Sequence, residues 1–415
     1  MNASPSAASD PARPPRILSI DLLRGADVLL MLFVNEVAGV TGAPAFLRHR
    51  PSDFDGMTIT DLVFPAFLFI VGIAIPFALG GRLRRGEAAG RVWRHVVLRS
   101  LALVVMGVLM VNAEHGVSGL LSAPEWNVLA TLGILLVWGV PEEGWGRARR
   151  SWLRGVGIAL LLFVSLVYRN PELTGWIQIR PYWWGILGLI GWAYLGVATL
   201  YLVAGERPAI LAGAIALFYC VALADAAGGL AWLSALRPLV GPVVGTHGAL
   251  VLAGALLGVL LKRQRSEGGS AARFAVRMLG YAAALGAAGL LLRSLNGVHP
   301  AFIISKNHAT APWGLVSSAL TCGAWVAVFV AADIRGWRRW PRSFAVAGEN
   351  PLVAYLMAPL LLSLFELAAP FLGGRNVYEA LGATTGVGLV RSAVFAWVVV
   401  RLTGWMRSRG VRIQL

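Results

Sequence analysis

Charge is scarce in this chain of 415 residues, where Asp, Glu, Lys and Arg together make up only 13%. An ordinary soluble domain carries about 25%. So little charge cannot clothe a water-facing surface, which excludes the two or three soluble domains that the length alone would suggest. Lysine is almost missing: Lys262 and Lys306 are the only two, and arginine carries the positive charge. Cysteine is limited to Cys220 and Cys322, both in apolar stretches. That excludes a disulfide framework and a cysteine metal set. No HExxH pattern is present, so no metal is expected. The chain also lacks an internal repeat, a low-complexity tract and a soluble domain.

What is present is apolar. Hydrophobic residues make up 57% of the chain, and the mean hydropathy is +0.70. Apolar runs of about 17–25 residues mark membrane-spanning helices. Twelve such runs fall near 17–41, 58–80, 92–112, 125–140, 152–168, 184–204, 208–228, 245–262, 273–294, 313–333, 345–370 and 384–404. Two short or closely spaced pairs allow a count of ten to twelve. The predicted fold class is an all-α, polytopic integral membrane helical bundle.

The chain is nevertheless basic, at a formal +16. Twenty-five of the thirty-six Lys and Arg residues fall in alternate loops and the two termini, eight in the opposite loops and three inside spans. Positive residues concentrate in cytoplasmic loops. The excess therefore reads as orientation rather than as nucleic-acid binding, with both termini cytoplasmic. Residues 1–16 are rich in Ala, Pro and Ser and are predicted to be a disordered cytoplasmic segment. Residues 17–404 form the transmembrane domain, and 405–415 a short basic cytoplasmic tail. A cleaved signal peptide is excluded because Asp21, Arg24 and Asp27 interrupt an over-long apolar run.

An ionisable group inside a span is costly and marks a functional candidate. The first span is richest, with Asp21, Arg24, Asp27 and then Asn35 and Glu36. At about 100° per residue, Asp21, Arg24, Asp27 and Asn35 share an arc of about 120°, with Arg24 and Asn35 about 20° apart. Either i,i+3 ion pairs anchor this helix at the interface, or its polar face lines a passage. His49 lies in the next loop, between Arg48 and Arg50. A histidine there is either solvated or a proton carrier near neutral pH. Asp61 opens the second span, where a carboxylate suits a helix N-terminus. Pro65 and Pro76 predict a bend there unless other groups satisfy the freed backbone. By loop alternation His49, His115, His247, His299 and His308 share the periplasmic side, and so does Lys306. Asn350 before Pro351 suits a helix cap. Glu366 and Arg391 are a candidate pair.

Several of these residues form a recognisable series. Asp21-x-x-Arg24-Gly25, Val34-Asn35, His49 and Asp61-Leu-Val-Phe-Pro65-x-Phe-Leu-Phe-Ile-x-Gly72 resemble the heparan-α-glucosaminide N-acetyltransferase family and its bacterial members. Ser305-Lys306-Asn307 with Trp313, and Asn350-Pro351-Leu352 with Tyr355, resemble its later motifs. The Trp184–Tyr194 stretch resembles its central helix. Asn35 and His49 stand farther apart here than in better-known members, and the His49–Gly56 segment is longer.

The resemblance implies a multi-pass acyltransferase of the bacterial inner (cytoplasmic) membrane. It would move acetyl from cytoplasmic acetyl-CoA, a co-substrate, to an amino-sugar or glycan acceptor on the periplasmic side. It implies His49 as general base or transient acyl carrier, with Asn35 orienting it or stabilising an oxyanion. Asp21, Arg24, Asp27, Asp61, Lys306, Asn307 and Asn350 are the candidate supporting or substrate-binding residues. The lipid bilayer is the remaining partner, and a homo-oligomer is left open. A twelve-helix secondary transporter and an O-acyltransferase of a cell-envelope glycan remain as alternatives.

Overall fold

The computed structural model describes residues 17–117, 119–139, 146–170, 172–337, 339 and 342–413. The expected disordered segment 1–16 lies outside them. All regular elements among the described residues are helices. In hydrocarbon each backbone N–H and C=O must be bonded within the protein, and a helix does this locally.

The helices, in chain order, are α1 (Leu18–Val37), α2 (Ile59–Arg84), α3 (Ala89–Glu114), α4 (Ala123–Trp138), α5 (Arg147–Val167), α6 (Gly185–Ala204) and α7 (Pro208–Ala226). Then come a π-helical stretch (Leu239–His247) leading into α8 (Gly248–Glu267), α9 (Ala271–Arg293), α10 (Ala311–Phe329), α11 (Arg342–Glu349), α12 (Pro351–Ala368), α13 (Val377–Ala380) and α14 (Thr385–Ser408). Among the described residues ten helices are long and apolar enough to cross a membrane. The other two of the twelve predicted spans are helical at their predicted places but miss that measure. Four charged side chains interrupt α1, and α4 has only 16 residues.

Helices pair closely as α1 with α11, α2 with α8, α3 with α6, α4 with α5 and α9 with α10. Without a hydrophobic force between helices in lipid, small residues that let backbones touch drive such pairing. A methyl group on Gly72 would collide with the Val251 carbonyl of α8, and one on Gly254 with the Phe69 carbonyl of α2. Gly25 of α1 likewise meets the Phe344 carbonyl of α11. The α8 unit is the most enclosed helix, and α5 shows most of its length outward. Leu162, Leu166, Leu217, Leu291, Val390 and Val394 all point out exposed. Apolar surface on this scale is foreign to a water-soluble monomer and natural to a multi-pass membrane protein.

Despite Pro65 and Pro76, α2 runs unbroken through 26 residues. Pro65 has no N–H for the Asp61 carbonyl four residues earlier. The Trp313 indole N–H of α10 donates to that carbonyl instead, at 3.3 Å. Near the other end Lys262 Nζ donates to the Pro76 carbonyl at 3.4 Å.

Arg391 does not pair with Glu366. Its guanidinium donates to the carbonyls of Glu36 and Tyr378, each at 3.0 Å, and lies over the Tyr378 ring. The reason is local: the last carbonyls of α1 have no helical partner, and Arg391 meets one of them.

Candidate functional site

The loop after α1 returns to the bundle at Thr58, which caps α2. Thr58 and Asp61 form a capping box, with the Thr58 N–H donating to Asp61 Oδ2 at 3.0 Å. The Arg50 N–H reaches the same oxygen at 3.3 Å. Asp61 is thereby buried with one oxygen, Oδ1, left over. His49 Nδ1 lies 2.7 Å from it. The short contact to a carboxylate assigns the ring proton to Nδ1 and leaves Nε2 as the unprotonated ring nitrogen. A helix cap thus doubles as the support that orients the imidazole.

Lys306 comes from the loop between α9 and α10. Its Nζ stands 3.2 Å from His49 Nδ1 and 3.4 Å from Nε2. Withdrawal from water pushes the Lys306 ammonium below its ordinary value, and the Asp61 carboxylate partly opposes this. Asp55 ties the two loops together. Its carboxylate accepts from the Ile304 N–H at 2.8 Å, from Arg293 at 3.0 Å and from Asn296 at 3.1 Å. The Gly56 N–H donates to the Ile304 carbonyl at 2.9 Å, and the Ser305 hydroxyl to the Ser52 carbonyl at 2.9 Å. Burial disfavours the Asp55 anion, but these donors outweigh it and hold the carboxyl below its usual range.

His49 and Lys306 open onto a cavity of about 410 Å³. That is within the size of ordinary small-molecule sites, about 300–1,000 Å³. Its wall follows α2 from Thr60 to Ala78, about 27 Å of helix. Asn35 joins His49 and Lys306 in the lining. Phe64, Phe67, Val71, Leu187 and Ile190 supply apolar wall. Arg24, Arg99, Tyr194, Glu349, Asn350 and Ile413 are also in the wall. Arg24 donates to Asp21 Oδ1 at 3.3 Å and to the Gly348 carbonyl at 3.2 Å. The Arg99 guanidinium lies 5.1 Å above the Tyr194 ring, with its Nε unpartnered among the described residues.

The predicted polar face of α1 is divided. Arg24 and Asn35, together with Met31, face the cavity. Asp21 pairs with Arg24 outside it. Asp27 is buried away from it, with Oδ2 lacking a partner. Asn350 starts α12, lines the cavity and donates to the Val411 carbonyl at 3.3 Å. Asn307 is exposed and outside the lining. Arg99 and Tyr194 were not among the candidate site residues read from the sequence. Arg99 carried a signal, an arginine within a span, but nothing in the sequence names its neighbours. Among the described residues no three His, Cys, Asp or Glu side chains gather as a metal set.

Residues 16–140 match a family described as a domain of unknown function (DUF5009). Over 129 residues the chain is 33% identical to the Homo sapiens heparan-alpha-glucosaminide N-acetyltransferase. Over 125 residues it is 32% identical to the Mus musculus protein of that name. The chain is related to these heparan-alpha-glucosaminide N-acetyltransferases. The matched stretches cover 31% and 30% of this chain and 18% of each relative. The family match takes in α1 to α4, and with them Arg24, Asn35, His49, Asp61 and Arg99. Lys306, Asn350 and Tyr194 lie beyond residues 16–140 and join the site only through folding.

Proposed function

We propose that this chain is a transmembrane acetyltransferase. It takes acetyl from acetyl-CoA on the cytoplasmic side and delivers it to an amine, or a hydroxyl, of a sugar on the periplasmic side of a bacterial cytoplasmic membrane. One observation carries this reading. A single cavity is lined both by His49, held from behind by Asp61, with Lys306 beside it, and by the two arginines of α1 and α3, Arg24 and Arg99. The skew of positive charge towards one set of loops supports the same sidedness.

The chemistry follows from the geometry. A thioester yields to a neutral amine or an activated hydroxyl. His49 Nε2, the unprotonated ring nitrogen, takes the proton of that nucleophile, or carries the acetyl group transiently. Asp61 holds the productive tautomer and stabilises the imidazolium that forms. Asn35 supplies an amide N–H, and Lys306 an amine N–H, for the oxyanion of the tetrahedral intermediate. Arg24 and Arg99 suit the phosphates of acetyl-CoA, and the apolar wall suits the uncharged arm that bears the thioester.

The test is a membrane assay with labelled acetyl-CoA and a panel of glucosamine-type and hydroxyl acceptors. Wild-type membranes label an acceptor, and His49→Ala membranes do not. Unchanged transfer by His49→Ala overturns the assignment of His49. Solute flux in proteoliposomes without acetyl-CoA, together with no transfer to any acceptor, replaces the reading with a secondary transporter.

A further inference from the structure

We infer that Lys306 is a self-acetylation site, its amine taking the acetyl group activated at His49 when no acceptor is bound. This rests on the acetyltransferase reading. The structural ground is placement. An acceptor amine must approach the acetyl carbon beside His49 Nε2, and the Lys306 amine already stands 3.4 Å from that nitrogen, inside the same cavity. The loop clamp at Asp55 and Ser305 keeps it there.

Lys306 is also suited to be a nucleophile. Among the described residues no carboxylate forms an ion pair with it, and its polar neighbours are the two nitrogens of the His49 ring. Burial lowers its ammonium below the ordinary value, which brings the neutral amine within easier reach. Lys262, the chain's other lysine, differs on each count. It is held by the Glu206 carboxylate and the Pro76 carbonyl, with no histidine among its partners.

The step balances without any further reactant. The neutral Lys306 amine attacks the thioester carbonyl of acetyl-CoA, and His49 Nε2 removes the amine proton. The new C–N bond forms as the C–S bond breaks. The CoA thiolate leaves and takes that proton, so the products are an amide on Lys306 and free CoA thiol. The product is uncharged and bulkier, and it fills the space beside His49. The reaction is therefore self-limiting, and an acceptor in the site suppresses it by competing for the same acetyl group.

The experiment uses the full chain in lipid nanodiscs with radiolabelled acetyl-CoA and no acceptor, followed by hydroxylamine treatment and peptide mapping. Hydroxylamine strips acyl-imidazoles and thioesters and leaves amides. The expected result is a stable label on the Lys306 peptide. It should fall at least tenfold in His49→Gln, vanish in Lys306→Arg and be absent from Lys262. Detergent-denatured wild-type protein gives the chemical background, so the test does not depend on a variant folding. No stable label, a label equal to the denatured background, or equal labelling of Lys262 overturns the inference. Acceptor transfer is measured on the same preparation. Transfer without a Lys306 label sinks the self-acetylation alone, whereas loss of both sinks the acetyltransferase reading with it.

Discussion

The indole N–H of Trp313 donates to the Asp61 carbonyl at 3.3 Å, across 252 residues of sequence. That carbonyl is the one Pro65 leaves without a helical donor. The two residues together allow a proline in the second turn of α2 while its first turn supports His49 through Asp61. Trp313→Phe keeps the ring packing and removes the donor. We expect a loss of about 0.5–2 kcal/mol, the range for a lost buried hydrogen bond, read as a lower thermal midpoint in detergent. Pro65→Ala restores a backbone N–H, so the double variant should lose less than the sum of the two changes.

Asp61→Asn retains the size of the side chain and removes its charge. The His49 ring then loses the partner that holds its proton on Nδ1. Acetyl transfer should fall by about 10²–10⁴-fold, the usual share of a positioned acid–base group. Acetyl-CoA binding, measured by calorimetry, should change little, because Asp61 lies outside the cavity lining.

Arg99→Leu removes an arginine stacked on Tyr194 in the cavity wall. Acetyl-CoA affinity should weaken by about 10–100-fold, the scale of a charge-assisted hydrogen bond of about 1.5–3 kcal/mol. The salt dependence of binding should become shallower in the same titration. Arg99→Lys should recover only part of the loss, because an ammonium lacks the planar fork.

Gly25→Ala places a methyl group against the Phe344 carbonyl of α11. Backbone cannot yield as a side chain does, so α1 and α11 must separate. A cost of about 1–3 kcal/mol is expected. Arg24, which reaches the Gly348 carbonyl across that contact, should lose its position. The thermal midpoint and the Michaelis constant for acetyl-CoA should both worsen.

The Asp55 clamp predicts an acid limit. Its carboxyl sits below the ordinary value of 3.8 in the folded protein. A depressed folded value adds stability that is complete above the unfolded value and is lost as pH falls through the folded one. The thermal midpoint should therefore drop more steeply with acid in wild type than in Asp55→Asn, below about pH 4. Parallel acid limbs would show that the clamp is not the titrating element.

Much of the fold was legible because membrane helices obey a local rule. A run of apolar residues long enough to cross hydrocarbon must be helical, and a helix stands at each of the twelve predicted runs, though Asn350 divides the run 345–370 into α11 and α12. The place of Asp61 in the first turn of α2 was legible for the same reason, since a carboxylate suits a helix N-terminus. The α1 face was legible only in part. Helical periodicity relates Arg24 to Asn35, and both face the cavity. It also grouped Asp21 and Asp27 with them. Only the packing of neighbouring helices turns Asp27 into the protein interior. The Glu366–Arg391 pair failed similarly, because the Glu36 carbonyl, on another helix, takes the guanidinium.

By itself the sequence determined the solvent, the spans and the chemical types present, because composition and short-range periodicity act within single helices. The tertiary structure alone decided that Lys306 meets His49 over 257 residues, that Trp313 completes the backbone Pro65 opens, and that Arg24 and Arg99 share a cavity with His49. Periodicity says which residues share a face of one helix. Which face meets which is set by close backbone approach at Gly25, Gly72 and Gly254, and only the folded bundle specifies that.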